Sequence, residues 1–173
     1  ILSVQGKVEV ASSGQQDWIL AKTDMPLKPG DQVRTARRSK ATLQMSDKTV
    51  LKIRQLTTMV IQASPSGEQM PELNLKSGSV FFFSRESPKE VPFRTSLTSG
   101  AIRGTEFELS VTEDDTTTLT MLDGLVDIRS GQGEVAVTNG EQAVIAPGQA
   151  PQKTATVPDT HQPLPTTPNI VET

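Results

Sequence analysis

The chain has no cysteine and only one histidine, His161, and these two shortages exclude several kinds of functional site. Without cysteine there is no disulfide framework, no thiolate metal site and no cysteine nucleophile. His161 lies in a stretch rich in Pro and Thr, so we expect neither a histidine metal cluster nor a Ser-His-Asp triad in the folded part. The sequence therefore predicts a protein that is not an enzyme and that holds no cofactor and no metal ion.

Aromatic residues, long apolar runs and excess positive charge are also scarce. With one Trp and five Phe in 173 residues, the core must be largely aliphatic, which favours β structure. No apolar run approaches the roughly 18 to 20 residues that a membrane-spanning helix needs, so we expect no membrane span in this segment. The formal net charge of −3 argues against nucleic acid as a partner, because nucleic-acid binders carry a concentrated basic surface.

Short segments in which apolar and polar residues alternate recur along the whole chain. Alternation with a period of two, together with many β-branched residues, indicates strands with one buried face. Turn-forming residues separate these segments at residues 28–31, 77–78, 113–115, 123–124 and 139–140. Regular turns between short strands predict an all-β fold of the sandwich, barrel or solenoid type.

The sequence contains weak internal repeats. Residues 6–10 resemble residues 124–128, and residues 27–33 resemble residues 137–144. The spacing between the copies is unequal, which does not fit a strict solenoid period. We therefore predict two related β units that pack together, in a solenoid-like or sandwich-like arrangement.

The composition changes abruptly from Pro147 onward, where six prolines and six threonines occur in the last 27 residues. Ordering a residue costs about 1–2 kcal/mol, and a segment with so few apolar side chains cannot recover that free energy alone. We predict an all-β domain over residues 1–150 and a Pro/Thr-rich linker or tail over residues 151–173. Because the chain begins at Ile1, we expect it to be part of a longer protein.

An Arg-Gly-Thr-Glu sequence, residues 103–106, interrupts an otherwise regular strand pattern. A glycine inside a strand indicates a bulge or a close approach of two backbones. In one interpretation Arg103 is bound by carbonyls or a carboxylate, Gly104 permits a bend and Phe107 fills the core. In the other, Arg103, Thr105 and Glu106 contact a partner.

These residues carry a specific family resemblance. Residues 102–107 resemble the Val-Arg-Gly-Thr-Glu-Phe signature of the FecR family, the periplasmic domain of regulators in bacterial cell-surface signalling for iron uptake. The resemblance covers roughly residues 3 to 150 and includes the motifs around Gly30, Asp31 and Gly124. One departure is Lys48, since the family has Asp-Gly-Thr where this chain has Asp-Lys-Thr, and we expect it to alter one turn.

The resemblance implies an all-β module in the periplasm or at the cell surface. In the regulator branch of the family such a domain relays a signal from an outer-membrane transporter, and in exported proteins it accompanies LysM modules. The expected partner is a protein of the bacterial envelope, either an outer-membrane receptor or another domain of the same chain, bound through an exposed strand edge in signalling or scaffolding. The alternative is a glycan-binding or peptidoglycan-binding module.

Three consecutive aromatics offer one further candidate contact. Phe81, Phe82 and Phe83 place rings on both faces of a predicted strand. Either this strand is covered on both faces, or it forms an exposed apolar edge that a partner strand can join. Phe81 and Phe83 are the candidate contacts in the second case.

A basic cluster offers another candidate contact. Arg37 and Arg38, with Arg34 and Lys40, lie in a predicted loop between two strands. The cluster is either a solvated turn or a contact for an anion or an acidic partner. Trp18 is either a core anchor or a platform on which a sugar can stack.

Overall fold

The computed structural model describes residues 1–45, 48–64, 70–86 and 89–156, and every regular element in these ranges is a β-strand. The strands are β1 (Ser3–Gln5), β2 (Val8–Ala11), β3 (Ile19–Leu20), β4 (Gln32–Thr35), β5 (Lys40–Gln44), β6 (Val50–Ile53), β7 (Thr58–Gln62), β8 (Glu72–Phe83), β9 (Lys89–Arg94), β10 (Thr98–Val111), β11 (Thr117–Ser130), β12 (Gly133–Thr138), β13 (Glu141–Ile145) and β14 (Gln152–Ala155). The prediction of an all-β fold is confirmed.

Buried and exposed side chains alternate along the strands, as the sequence predicts. In β6, Leu51 and Ile53 are buried while Lys52 between them is exposed. The buried apolar side chains from all parts of the sheet form one hydrophobic cluster, which is mainly Val, Leu and Ile. Two aromatic rings lie at its centre, because Phe107 stacks on Phe82 with ring centroids 4.7 Å apart. The scarcity of aromatics is therefore compensated by aliphatic packing around a few rings.

Three long strands change partners along their length, and this shapes the whole sheet. The start of β8 pairs with β7 and its end pairs with β6 and β10. Strand β10 pairs first with β9 and then with β8, while β11 pairs first with β13 and then with β12. The sheet thus has a first half, containing β2, β3, β4, β7, β9 and β12, and a second half, containing β1, β5, β6, β13 and β14. The two halves share β8, β10 and β11.

The turn before β4 follows the predicted Lys-Pro-Gly-Asp pattern. The Asp31 carboxylate accepts a hydrogen bond from the Lys28 amide at 2.8 Å, and the Asp31 amide donates back to the Lys28 carbonyl at 3.0 Å. Gly30 has a φ of 95°, and a Cβ there would lie 2.5 Å from Ser13 Oγ. Glycine is needed at this position because a larger residue would be strained and would clash.

Two predicted turns are wrong. Residues 77–78 lie inside β8 and residues 123–124 lie inside β11, so neither pair reverses the chain. The glycines have positive φ values, 93° for Gly78 and 144° for Gly124. A glycine of this kind can bend a strand as well as end it, and the local sequence does not distinguish the two outcomes. The predicted turns at residues 113–115 and 139–140 do connect successive strands.

The sheet continues a few residues past the expected domain end at residue 150. Strand β14 pairs with β13 from Gln152 to Ala155. Residues 157–173, including His161, lie outside the described residues, so the boundary of the tail stays a prediction. Among the described residues there is no helix long and apolar enough to cross a membrane.

Candidate functional site

The Arg-Gly-Thr-Glu sequence lies where β10 and β11 bend together. Gly104 on β10 faces Gly124 on β11. A Cβ on Gly104 would lie 2.5 Å from the Asp123 carbonyl oxygen, and a Cβ on Gly124 would lie 2.5 Å from that of Arg103. These distances are too short for any side chain, so the close approach of the two backbones requires both glycines.

Each of the two strands carries one extra residue at this bend. The register pairs Gly104 with Gly124, Glu106 with Asp123 and Phe107 with Met121. Thr105 is therefore extra on β10, and Leu122 is extra on β11. Bulges bend strands and increase their twist. Because the two bulges cancel, the register beyond them is unchanged while both strands pass from one half of the sheet to the other.

A small polar network holds the bend, which we call the kink (residues 104–106 and 122–124, with Asn139). The Thr105 hydroxyl donates to one oxygen of the Asp123 carboxylate, and the Asn139 amide nitrogen donates to the other at 3.3 Å. The Asn139 side-chain oxygen accepts from the Gly124 amide at 2.6 Å. The sequence showed Asp123 and Asn139 only as parts of Asp-Gly and Asn-Gly turns, so their joint role could not be predicted.

Beside the kink, the outer side of the first half forms an open groove of about 530 Å³. We call this surface the β9–β12 face. Its exposed or half-exposed side chains are Glu90, Pro92, Arg94, Ser99, Ala101, Arg103, Leu125, Asp127, Arg129, Glu134 and Ala136. Arg103 directly precedes the kink in β10, and its side chain is 73% exposed.

The arginines of this face are paired with carboxylates on neighbouring strands. The pairs are Arg94 Nε to Glu72 Oε1 at 3.2 Å, Arg103 Nη2 to Glu90 Oε2 at 3.4 Å and Arg129 Nε to Glu134 Oε1 at 3.3 Å. Leu125 is 44% exposed between them. The Arg103 and Arg129 pairs are exposed and so contribute little to stability, whereas the Glu72 carboxylate that pairs with Arg94 is nearly buried.

Glu106, Phe83 and Phe81 lie on the outer side of the second half. Glu106 is opposite Phe83, and Phe81 is opposite Glu108. Both phenylalanines are half-buried. They do not lie on a sheet edge, because β6 and β10 pair with this part of β8 on its two sides. The interpretation of an exposed apolar edge at Phe81 and Phe83 is therefore wrong, and any contact they make uses the sheet face.

Arg37 and Arg38 lie apart from the kink, in the loop between β4 and β5. Both are exposed, and the Arg38 amide donates to Gln55 Oε1 at 2.8 Å. The structure thus separates the candidate contacts into two groups. Arg103, Thr105, Glu106 and Phe83 lie in or beside the kink, whereas Phe81 and the two loop arginines lie near β5 and β6.

Arg34 does not join the loop arginines. Its Nε donates to Glu9 Oε2 at 2.7 Å, and its guanidinium lies 4.0 Å from the centre of the Trp18 ring. The hydrogen bond from Arg34 holds the pKa of Glu9 below its ordinary value of 4.5, and Lys7 adds to the effect. Trp18 is half-buried and lies outside the core cluster. Its predicted role as a core anchor is wrong.

The turn next to the kink is also held by a carboxylate. Glu141 accepts from the Thr138 amide at 2.8 Å and from its hydroxyl at 3.0 Å, and Lys153 Nζ lies 3.3 Å from the other oxygen. The bond from the Thr138 amide lowers the pKa of Glu141 from its ordinary value of 4.5. In the described part of the chain, no group of three or more His, Cys, Asp or Glu residues is arranged to hold a metal ion.

Comparison with known proteins agrees with this fold. The family described as FecR protein matches residues 31–127. Two crystal structures of a "putative anti-sigma factor" from Parabacteroides distasonis are similar to this chain, each with a TM-score of 0.60 and 16% sequence identity. In both, the similarity covers 72% of this chain but 59% of the other protein, so this chain spans little more than half of that protein's length. No curated protein sequence matches the chain.

Proposed function

Because the chain belongs to the FecR protein family, we propose that it is a non-catalytic signalling module of the bacterial cell envelope that binds another protein through the β9–β12 face. The observation that carries this proposal is the groove beside the kink. There Arg103, Leu125 and Asp127 project from paired strands at fixed spacing. Such a surface suits recognition, because little conformational entropy is lost when side chains on rigid strands bind.

The composition of the face supports a protein partner. Arginines surround the exposed Leu125, and arginine with large apolar residues is enriched in the energetically important parts of protein interfaces. The Arg103 and Arg129 ion pairs exchange partners at little cost, since both partners of each pair are exposed and the pairs are longer than 3 Å. An acidic or mixed-charge partner surface can therefore replace Glu90 and Glu134 as counter-ions of Arg103 and Arg129.

The location and partner follow the family resemblance. We propose a place in the periplasm or at the cell surface, and as partner an outer-membrane receptor or another domain of the same protein. The similar structures are named as an anti-sigma factor, which supports a regulatory role rather than a purely structural one. Iron signalling is one form of that role, and scaffolding by an exported protein is the structural alternative to it.

The glycan-binding alternative has less support. It requires an aromatic ring that is free to stack on a sugar. Arg34 covers one side of the Trp18 ring, the three largest buried side chains are phenylalanines of the core, and the two remaining rings, Phe81 and Phe83, are half-buried. A protein partner accounts better for the surface that the structure presents.

The experiment compares which envelope proteins the chain captures after crosslinking in an extract of the bacterium that makes it, quantified by mass spectrometry. One bait carries Arg103→Glu with Leu125→Glu, which disrupts the β9–β12 face. Its matched control carries Lys22→Glu with Leu20→Glu, the same chemical changes at exposed positions at the β3 end of the sheet.

We expect the face variant to lose a defined set of proteins by at least about tenfold, and the control to keep them. Equal capture by the three baits would contradict the proposal. Cosedimentation of the chain with purified peptidoglycan, unaffected by the face variant, would favour the glycan alternative instead.

A further inference from the structure

A second surface of the molecule carries a concentration of positive charge. We call it the basic rim, and it consists of Arg37, Arg38, Lys40, Lys52 and Arg54, all exposed. These residues come from the loop before β5, from β5 itself and from the end of β6. The whole chain has a formal net charge of −3, so the rim is a local reversal of the overall charge.

The rim surrounds a continuous depression. One part encloses about 520 Å³ and is lined by Lys40, Lys52 and Arg54 together with Thr42 and Phe81. The other part encloses about 300 Å³, and Lys40 and Arg54 border both parts. Four of the five cations, Arg38, Lys40, Lys52 and Arg54, therefore border a recessed surface.

Most of these cations have no counter-ion. Arg54 Nη2 lies 3.3 Å from Glu108 Oε1, which also accepts from the Ser79 hydroxyl. Within the described ranges, Arg37, Arg38, Lys40 and Lys52 make no ion pair; Lys52 Nζ lies 5.8 Å from the centre of the Phe81 ring. The β9–β12 face differs, since its three arginines each have a carboxylate.

Backbone strain marks the same place. Arg38 has a φ of 55° and Leu56 a φ of 53°, a left-handed conformation that is uncommon for residues other than glycine. The two loops are tied together, because the Arg38 amide donates to Gln55 Oε1 and the Leu56 amide donates to the Ala36 carbonyl at 3.3 Å. Leu56 is 56% exposed. Strained residues of this kind concentrate at functional sites.

We propose that the basic rim docks an acidic, extended polypeptide segment that carries apolar side chains. Its carboxylates pair with Lys40, Lys52 and Arg38, and its apolar side chains pack on the half-buried ring of Phe81. Charge complementarity selects the acidic occupant. The recessed shape and the polar Thr42 and Gln55 side chains suit a peptide better than a membrane, whose surface a protruding patch would meet. This site goes beyond the function proposed above and does not depend on the β9–β12 face.

The test measures binding of a fluorescent synthetic peptide of alternating Glu and Val to the complete chain by anisotropy at low ionic strength. A charge contact near the surface is strong enough that Lys40→Glu with Lys52→Glu should weaken binding by about tenfold or more. The matched control is Lys22→Glu with Lys28→Glu, which changes the net charge equally at exposed positions outside both surfaces and should leave affinity within about twofold. Added salt should weaken wild-type binding, because exposed charges are screened.

Two further measurements keep the test decisive. Lys40→Gln with Lys52→Gln should weaken binding without introducing repulsion, and a peptide of alternating Glu and Ser should bind more weakly than the Glu and Val peptide while all charges remain. Equal loss in the two charge-reversal variants would overturn the proposal, since binding would then depend on net charge alone. It would also be overturned if the peptide did not bind while vesicles containing phosphatidylglycerol bound through Lys40 and Lys52.

Discussion

The kink and the basic rim use polar groups in opposite ways. At the kink, Thr105, Asp123 and Asn139 bind one another and the Gly124 amide, so few polar groups are left for a partner. At the rim, four of five cations have no counter-ion among the described residues. The first region uses its polar groups to shape the sheet, and the second keeps them available for binding.

The residues that make the family recognisable in the sequence are mostly not the residues whose side chains are free to bind a partner. The residues that carry the family resemblance most clearly are 102–107, and most of them are structural here. Gly104 permits the close approach, Thr105 forms the bulge and binds Asp123, and Phe107 stacks in the core. Arg103 projects outward from the same segment. A motif can therefore define a fold while only one of its side chains is placed to contact a partner.

The largest effect should follow a change at the kink glycines. Gly124→Ala places a Cβ 2.5 Å from the Arg103 carbonyl oxygen and 2.6 Å from the Cα of Gly104, at a φ of 144°. Backbone atoms on both strands would have to move, so we expect the free energy of unfolding to fall by about 3 kcal/mol. Urea denaturation of the two proteins measures the difference.

Gly131→Ala is the matched control, because a Cβ at Gly131 meets nothing within 4 Å. It should change stability by less than about 0.5 kcal/mol. If both substitutions had the same small effect, the close approach of β10 and β11 would not be a determinant of the fold, and the contrast between kink and rim would be lost.

The sequence predicted local features of the kink but not its tertiary partners. Gly104 predicts a bulge or a close approach of two backbones, because these are the usual reasons for a glycine inside a strand. That Gly124 lies opposite, and that Asn139 reaches back to Asp123, depends on which strands pair. Strand pairing is a property of the whole sheet, and the Asp-Gly and Asn-Gly sequences alone favour hairpin turns.

The basic rim shows the same limit. The sequence cluster contained Arg34, which in the structure binds Glu9 on β2 instead. It lacked Lys52 and Arg54, which antiparallel pairing of β5 with β6 brings beside Lys40. A run of charges along the chain therefore predicted the position of the rim but not its membership, since residues distant in sequence complete it.

A smaller effect should follow the loss of the kink network. Asp123→Ala removes the acceptor of the Thr105 hydroxyl and of the Asn139 amide. We expect a loss of about 1–2 kcal/mol in the free energy of unfolding, as for hydrogen bonds to a charged group. Asp127→Ala on the same strand is the control, because the Asp127 carboxylate is exposed and makes no hydrogen bond or ion pair in the described part of the chain. Comparable losses in the two variants would show that the network does not hold the bend.

The smallest expected effect is a pH-dependent contribution to stability beside the kink that the basic rim lacks. Glu141, in the turn that carries Asn139, has a pKa below its ordinary value of 4.5 because it accepts the Thr138 amide hydrogen bond. A carboxyl whose pKa is lowered by folding adds stability above the pKa of the unfolded chain, and this contribution disappears as pH falls through the folded value. The stability difference between wild type and Glu141→Gln, measured by urea denaturation, should be largest near neutral pH and shrink below about pH 4.5, while Lys52→Gln should show no such trend. A constant difference for Glu141→Gln would mean that its charge does not stabilise the turn beside the kink.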